Sequence, residues 1–459
     1  MSGDVNPAHV DEEYAHSDVF HKVIAHGMWG ASLISTLLGT KLPGPGTIYL
    51  EQTLHFRRPV TIGDTVTVSV TASAKHAERH RVSFECRCVN QRGEEVIDGI
   101  AEVIAPEEKV RRPRVALPEV QLHEHGVLFR ELLARAKPLE PIRTAVVHPV
   151  DGDALLGAVQ AAQEGLIIPV LIGPEDRIRS AAAALDLEIA GLSIISTEHS
   201  HEAAEKAVAL ARRGKVDALM KGSLHTDELM RAAVAPGTGL AVDCRMSHVF
   251  VMDVPAYPRP LFITDAALNV EPDLACKRDI VQNAIDLALA VGVETPRVAI
   301  LSAVETVNPR LRSSLDAAAL AKMAERGQIR GGLVDGPLAF DGAVSPAAAR
   351  VKGIASQVAG QADILVVPDL ESGNMLVKQL DYLADSRAAG IVLGGRVPIV
   401  LTSRADSALE RVASCALAVL VARAPGLRKQ IPGETPQTAR PIRTWVSRTI
   451  LGQGDHLPD

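Results

Sequence analysis

The sequence predicts two folded regions of different class: an α+β region near the N-terminus and a longer α/β region after it. Two patterns lead to this prediction. From Thr47 to Ala105 apolar and polar residues alternate with period two, whereas from about Arg143 short apolar runs alternate with Ala-rich helical stretches. The length of 459 residues also favours two or three domains over a single one.

The N-terminal region begins its regular structure with "HGMWGASLISTLLG", from His26 to Gly39, which is nearly all apolar or small and ends on Gly. This stretch predicts a buried helix that stops at Gly39. The alternating stretches "TIYLEQTLHF", "DTVTVSVTASA", "HRVSFECRCVN" and "EVIDGIAEVIA" then predict antiparallel strands with one buried face. Residues 106–124 gather Pro and charge, which indicates a linker.

The second region alternates helical stretches with the short apolar runs "TAVVHP", "LIIPVLIG", "VDALMKG", "RVAILSA", "ADILVVP" and "PIVLTS". This alternation is typical of a doubly wound, mostly parallel sheet covered by helices on both faces, which gives three layers. Residues 424–459 are polar and rich in Pro, with little to bury, so we expect a loose C-terminal tail.

The composition excludes several classes of function. With 47% hydrophobic and 22% charged residues the chain is a folded protein, and its net charge of −7 offers no basic stripe for nucleic acid. No signal peptide and no long apolar run is present, so we expect no membrane partner and a cytoplasmic location. The five cysteines lack metal-ligand spacing, and His76 and His80 lie in a predicted hairpin without a third ligand, so we expect no metal site.

The opening stretch "SGDVNPAHVD" places Asp4 and His9 five positions apart. Alone, such a pair is typical of a turn or helix start, because Asp before Asn-Pro is a good N-cap. Together with "HGM" and "LPGPGTIYLEQTLHFRRPVTIGDTVTV", however, residues 1–105 resemble the MaoC-like (R)-specific enoyl-CoA hydratases of the hot-dog fold. In that family a strand and a helix precede the motif, so the resemblance implies an N-terminally truncated hot-dog domain.

The resemblance also implies roles for individual residues. Hydration of an enoyl thioester needs a base to activate water and an acid to protonate the α carbon, and Asp4 and His9 would share these roles. The backbone N–H of Gly27 would donate to the thioester oxygen as the enolate develops. Ser35 matches the family serine that orients the Asp, although it can equally be a small residue in helix packing.

The larger region contains, in order, "MKGSLHTDELMR", "CRMSHVFVMD", "ITDAALNVEPDL", "LSAVETVNP", "VDGPLAFDGAVS", "PDLESGNML" and "VPIVLTSRADS". With these strings residues 125–423 resemble the phosphate acetyltransferases and phosphate butyryltransferases. The resemblance implies transfer of an acyl group between a CoA thioester and inorganic phosphate. CoA, its thioesters and phosphate would then be substrates, and we expect no tightly bound cofactor.

By the same resemblance Ser403 and Arg404 are the functional Ser-Arg pair, with Arg404 binding phosphate or the leaving thiolate through its fork of donors. Glu410 stands where the acetyltransferases have an Asp that acts as base toward the CoA thiol, and it can instead be a surface helix residue. Further residues of the matched strings are expected to line the substrate site, and the last five are expected at strand ends, where ligands of open α/β sheets bind: Ser223, His225, Thr226, Arg231, Asp335, Glu371, Ser372, Gly373 and Asn374. The structural alternatives are an ion pair of Arg404 with Asp406 and a helix N-cap at Thr226 or Asp227.

Two hypotheses for the whole chain follow. In the first, both domains are enzymes that handle acyl-CoA, the first as a hydratase and the second as a phosphate acyltransferase. In the second, the hot-dog domain is a non-catalytic module for dimerisation or acyl-CoA binding. Both expect a homo-oligomer, and both leave the acyl chain, acetyl or butyryl, open.

Overall fold

The computed structural model describes residues 4–108, 110, 126–402 and 406–424. The chain forms two compact units, Met1–Val120 and Gln121–Asp459. Most of the predicted linker and nearly all of the predicted tail lie outside the described residues. Within the described part of the chain, no helix has the length and apolarity needed to cross a membrane.

The first unit consists of helices packed on one antiparallel sheet. Its helices are α1 Pro7–Val10, α2 Glu12–Ser17 and α3 Gly27–Thr40, and its strands are β1 Ile48–Phe56, β2 Thr67–His76, β3 Arg81–Val89 and β4 Glu95–Ile104. The four strands lie in the order β1-β4-β3-β2, and every neighbouring pair is antiparallel. The period-two pattern therefore identified these strands correctly.

Helix α3 contributes one stripe of residues to the core of this unit, namely Gly30, Ile34 and Leu38. Gly30 is needed for the close approach of helix to sheet, because a Cβ there would collide with the side chain of Ile97. Two details of the prediction were wrong: α3 runs through Gly39 to Thr40, and only the stripe is buried. The sheet covers one face of the helix, so residues off the stripe are half-buried or exposed.

The second unit is built on an eleven-stranded sheet. Its strands are β5 Ile142–Val147, β6 Ile167–Gly173, β7 Ser193–Ser196, β8 Ala218–Lys221, β9 Ser247–Asp253, β10 Leu261–Thr264, β11 Arg297–Leu301, β12 Leu333–Leu338, β13 Ile364–Val366, β14 Arg387–Leu393 and β15 Ile399–Val400. Its helices are α4 Val127–Ala136, α5 Gly152–Gln163, α6 Glu175–Ala184, α7 Ser200–Arg212, α8 Thr226–Val234, α9 Leu274–Ala290, α10 Arg312–Glu325, α11 Phe340–Val344, α12 Pro346–Val351, α13 Leu370–Leu383 and α14 Ala408–Arg423.

The strands lie in the order β12-β11-β13-β10-β9-β14-β15-β8-β5-β6-β7. Most pairs are parallel, as predicted, but β9 runs antiparallel to β10 and β14, and β14 runs antiparallel to β15. Hydrophobic pattern does not reveal strand direction, because a strand buried on both faces is apolar in either orientation.

The chain order creates a crevice at the carboxyl ends of β5 and β8. Strand β5 lies between β6 and β8, so the connections that leave β5 and arrive at β8 run in opposite directions across the sheet. Ligands of open α/β sheets bind at such a switch point. The loop after β8, which leads into α8, is therefore placed where a substrate is expected.

Candidate active sites in the two units

In the first unit, Asp4 pairs with a residue that the sequence analysis did not select. The Nε2 of His26 lies 2.9 Å from the Oδ2 of Asp4, and both side chains are about one third exposed, at 32% and 36%. The other carboxylate oxygen of Asp4 accepts a hydrogen bond of 3.0 Å from the backbone N–H of Asn6. Both oxygens of the carboxylate are thus held by a donor.

His9 lies beside this pair. Its ring centroid is 5.6 Å from that of His26, and its Nδ1 is 2.9 Å from the carbonyl oxygen of Ile24. A carbonyl only accepts, so Nδ1 carries the proton and Nε2 of neutral His9 keeps a lone pair. His9 is therefore prepared to accept a proton at Nε2.

A cavity of about 240 Å³ adjoins these groups and is called the α3 cavity here; its lining includes His9, His26, Gly27, Trp29, Phe56 and Ile97. Gly27 is the first residue of α3, so its backbone N–H has no partner within the helix and is available to a ligand. A Cβ at Gly27 would come within 3.1 Å of the Phe56 ring, so a larger residue would narrow the cavity.

The predicted residues of this unit are thus partly brought together. His9 and Gly27 line the α3 cavity, and Asp4 is tied to it through His26. Ser35 lies about two turns further along α3 with an exposed side chain. The sequence could have indicated His26, because a polar residue directly before the Gly that opens an apolar helix is an N-cap candidate.

In the second unit a cavity of about 710 Å³ lies against the start of α8 and is called the α8 cavity here. Its lining includes His225, Thr226, Arg231, Arg245, Leu268 and Asn269. The structure corrects the predicted cap: His225 is the N-cap, and both Thr226 and Asp227 lie within the first turn. The side chain of His225 makes no capping hydrogen bond, so it does not occupy the first N–H groups of α8.

One of the predicted residues, Ser223, holds this loop in place, whereas Arg231 forms an exposed ion pair within α8. The Oγ of Ser223 accepts a 3.0 Å hydrogen bond from the N–H of Asp151, which joins the loop after β5 to the loop after β8. Arg231 lies 3.6 Å from Asp227, one turn earlier on α8, with side chains 74% and 70% exposed. An exposed pair of this length contributes little to stability, so the guanidinium of Arg231 is available to a ligand.

Arg245 and Asn269 are lining residues that the sequence analysis missed. Arg245 precedes β9, and no described residue forms an ion pair or hydrogen bond with its guanidinium. Asn269 follows β10 and donates from Nδ2 to the carbonyl of Met246 at 2.9 Å. Both lie inside the quoted strings "CRMSHVFVMD" and "ITDAALNVEPDL", so the strings pointed to the correct segments without selecting these residues.

Buried Asp265 shapes the loop that carries Asn269. Its carboxylate accepts hydrogen bonds from the N–H of Ala267 at 3.1 Å, the N–H of Leu268 at 3.0 Å and the Nδ2 of Asn269 at 2.6 Å. Burial raises the pKa of the Asp265 carboxyl, and these hydrogen bonds oppose the increase. Asp265 therefore acts as a fixed acceptor around which the loop turns toward the α8 cavity.

The residues predicted around α13 lie mostly in that helix and not at strand ends. Ser372 lines a second cavity, of about 580 Å³, whose other described walls are mainly apolar. Asn374 donates to the carbonyl of Ala266 at 3.5 Å, and Gly373 is buried where a Cβ would lie 2.9 Å from the Cβ of Ala266. Glu371 is exposed in the first turn of α13.

Asp335 also lies elsewhere than predicted. It is a half-buried residue inside β12, and its carboxylate accepts a 2.8 Å hydrogen bond from the N–H of Gly336. The prediction placed it at a strand end, whereas the strand continues through Gly336 to Leu338.

Glu410 closes the N-terminus of α14. Its Oε2 accepts from the N–H of Ser407 at 2.6 Å and from the Oγ of Ser407 at 2.7 Å, which completes a capping box. Its Oε1 lies 3.4 Å from the N–H of Ala388. Glu410 thus has a structural role that the sequence analysis did not foresee. Ser403 and Arg404 lie outside the described residues.

Comparison with known proteins agrees with both resemblances. A family model described as "Phosphate acetyl/butaryl transferase" matches residues 198–419, and one described as "MaoC like domain" matches residues 1–91. A phosphate acetyltransferase of Rhizobium meliloti is 60% identical over 294 residues, which are 64% of this chain and 93% of that protein. A phosphate butyryltransferase of Clostridium acetobutylicum is 42% identical over 294 residues, which are 64% of this chain and 98% of that protein.

Among solved structures, a branched-chain phosphotransacylase from Enterococcus faecalis V583 has a TM-score of 0.54 and 28% identity, over 61% of this chain and 99% of its own. The predicted fold classes are thereby confirmed, the α/β class for the second unit and the hot-dog class for the first. The chain belongs to the phosphate acetyl/butyryl transferase family and carries a MaoC-like hot-dog region ahead of its transferase unit.

Proposed function

We propose that the second unit transfers an acyl group between a CoA thioester and inorganic phosphate. The observation that carries the proposal is the α8 cavity, whose lining includes Arg231, Arg245 and Asn269. Guanidinium groups are the preferred protein donors to phosphate, because their N–H groups match its oxygens in pairs. The 60% identity to a phosphate acetyltransferase supports the same activity.

The chemistry requires two things of these residues. A phosphate oxygen attacks the thioester carbonyl carbon, the C–S bond breaks, and the products are an acyl phosphate and CoA. Arg231 and Arg245 would hold the phosphate dianion close to the carbonyl, which reduces the entropic cost of the encounter. By resemblance, Arg404 and Ser403 would stabilise the departing thiolate and the carbonyl oxygen, and Glu410 would exchange the proton of the CoA thiol.

We propose acetyl as the preferred acyl group, because the identity to a phosphate acetyltransferase, 60%, exceeds that to a phosphate butyryltransferase, 42%. The test is release of the CoA thiol from acetyl-CoA and from butyryl-CoA, each with and without phosphate. Thiol release that requires phosphate and is faster with acetyl-CoA is expected. Phosphate-independent release would contradict the transferase, and a higher kcat/KM for butyryl-CoA would contradict the acyl preference.

We propose that the first unit hydrates enoyl-CoA. The supporting observation is that His9, the N–H of Gly27 and the His26 that holds Asp4 all border the α3 cavity. Water would add its oxygen to the β carbon and give a proton to one of the two groups, Asp4 or His9. The α carbon would receive a proton from the Asp4–His9 pair as the enolate, stabilised by the Gly27 N–H, collapses.

The alternative is that the first unit binds acyl-CoA or a second copy of the chain without catalysis. Hydration of crotonyl-CoA, followed by loss of absorbance of the enoyl thioester, separates the two. Hydration that is abolished in Asp4→Asn supports the enzyme. Binding of crotonyl-CoA without hydration would support the module, and a dimer that depends on the first unit would support a role in assembly.

A further inference from the structure

His26 lines the α3 cavity, and both of its ring nitrogens form polar contacts. Its Nε2 meets the carboxylate of Asp4 at 2.9 Å, and its Nδ1 accepts a 3.1 Å hydrogen bond from the N–H of Met28. We propose that His26 is the positioning residue for the Asp4 carboxylate in the hydration reaction. The inference rests on the proposed hydratase function and adds to it a residue outside the Asp4–His9 pair.

The backbone partner determines the tautomer of His26. The N–H of Met28 can only donate, so the Nδ1 of His26 must be unprotonated. The proton of the neutral ring is then on Nε2, which donates to Asp4. A donor fixed in this way forms a charge-assisted hydrogen bond with an ionised carboxylate, and the ring cannot flip without losing both bonds.

The bond from His26 ties Asp4 to a distant part of the chain. Asp4 precedes the four-residue helix α1, and the N–H of Asn6, two residues away, holds one of its oxygens. The bond from His26 holds the other oxygen, and the His26 ring itself lines the α3 cavity. Loss of that bond would remove the contact between the carboxylate and this ring of the cavity wall, and a displacement of about 1 Å can reduce a rate about 100-fold.

The same ring also fixes the start of α3. His26 is the N-cap of this helix, and Gly27, whose N–H faces the developing enolate in the proposed reaction, is the next residue. One imidazole therefore links the position of the carboxylate to that of the oxyanion donor.

Two substitutions separate the capping bond from the bond to Asp4. Asn is a favoured N-cap, so His26→Asn keeps an acceptor for the N–H of Met28 but is too short to reach Asp4. Gln is longer and can donate an amide N–H to Asp4, but it is not a favoured N-cap, so His26→Gln keeps the opposite bond. The phosphate-dependent release of CoA by the second unit serves as the control in both variants.

In the full chain, His26→Asn should lower kcat for crotonyl-CoA hydration about 30- to 100-fold with less than a threefold change in KM and an unchanged melting temperature. His26→Gln should retain hydration within about fivefold of the parent while melting at a lower temperature. A proton–nitrogen correlation spectrum of labelled His should show the Nε2–H tautomer of His26 in the parent and its perturbation in Asp4→Asn.

Each failure has a different meaning. A parent without hydration would overturn the proposed hydratase function and this inference with it. A parent that hydrates crotonyl-CoA no faster than His26→Asn would overturn the inference alone. Equal loss of activity in His26→Asn and His26→Gln, with hydration intact in the parent, would also overturn the inference, because the activity would then not depend specifically on the bond from His26 to Asp4.

Discussion

The phosphate site can be tested through Arg245, whose guanidinium lines the α8 cavity without an ion-pair partner among the described residues. A guanidinium about 4 Å from one phosphate charge interacts with roughly 4 kcal/mol at an effective dielectric constant of about 20. The side chain is exposed, so water and salt screen this interaction, and about 2 kcal/mol is a realistic net contribution. Since 1.4 kcal/mol is a factor of ten, loss of Arg245 should weaken phosphate binding about 30-fold.

The substitution is Arg245→Gln, and the assay is acetyl-CoA thiol release at increasing phosphate concentration. The KM for phosphate should rise about 30-fold while the KM for acetyl-CoA changes by less than a factor of three. Arg245→Lys keeps the charge but loses the paired donors, so its KM for phosphate should fall between those of the parent and Arg245→Gln. A phosphate KM within a factor of two of the parent in Arg245→Gln would refute the placement of phosphate in the α8 cavity.

Three further predictions concern other parts of the second unit. Glu410→Gln should slow acyl phosphate formation. It should lower the free energy of unfolding by less than about 1 kcal/mol, because Gln can complete the capping box with Ser407. A rate of acyl phosphate formation equal to that of the parent would show that Glu410 has only the capping role. Burial lowers the pKa of His248 from 6.5 to about 4. Between these two pH values the unfolded chain therefore binds a proton at His248 that the folded chain does not bind. Stability should therefore be complete above pH 6.5 and fall by about 3 kcal/mol toward pH 4, measured by denaturant unfolding, and His248→Asn should flatten this slope. Lys277 and Asp316 form a buried ion pair of 2.8 Å, so Lys277→Ala should cost about 3 kcal/mol or more by the same measurement. The double substitution Lys277→Met and Asp316→Leu should lower the free energy of unfolding by less than Lys277→Ala does. An equal loss in the two variants would show that Lys277→Ala does not leave an unpaired buried charge at Asp316.

Local patterns were sufficient to predict the elements of the first unit. Alternation with period two identified β1 to β4, because a strand with one buried face must alternate whatever it pairs with. The helix start at His26 and Gly27 also followed from local composition. The end of α3 did not, since Gly39 allows a helix to stop but does not force it to.

The site of the second unit was only partly predictable from sequence. The matched strings indicated α8 and its loop correctly, including Thr226 and Arg231. Arg245 and Asn269 reach the same cavity from segments before β9 and after β10, and their arrival depends on the antiparallel placement of β9 beside β10. No local pattern carries that information, because strand direction and strand neighbours are set by packing between segments far apart in the chain.

The sequence by itself determined which segments form strands and helices, which faces are apolar, and the family to which the chain belongs. Only the tertiary structure decided which polar groups meet: His26 rather than His9 beside Asp4, and Glu410 bound to the N-terminus of α14. The physical reason is that periodicity reports burial, a property of single residues, whereas hydrogen bonds require two groups to be within about 3 Å of each other. That second condition depends on how loops close and how elements pack.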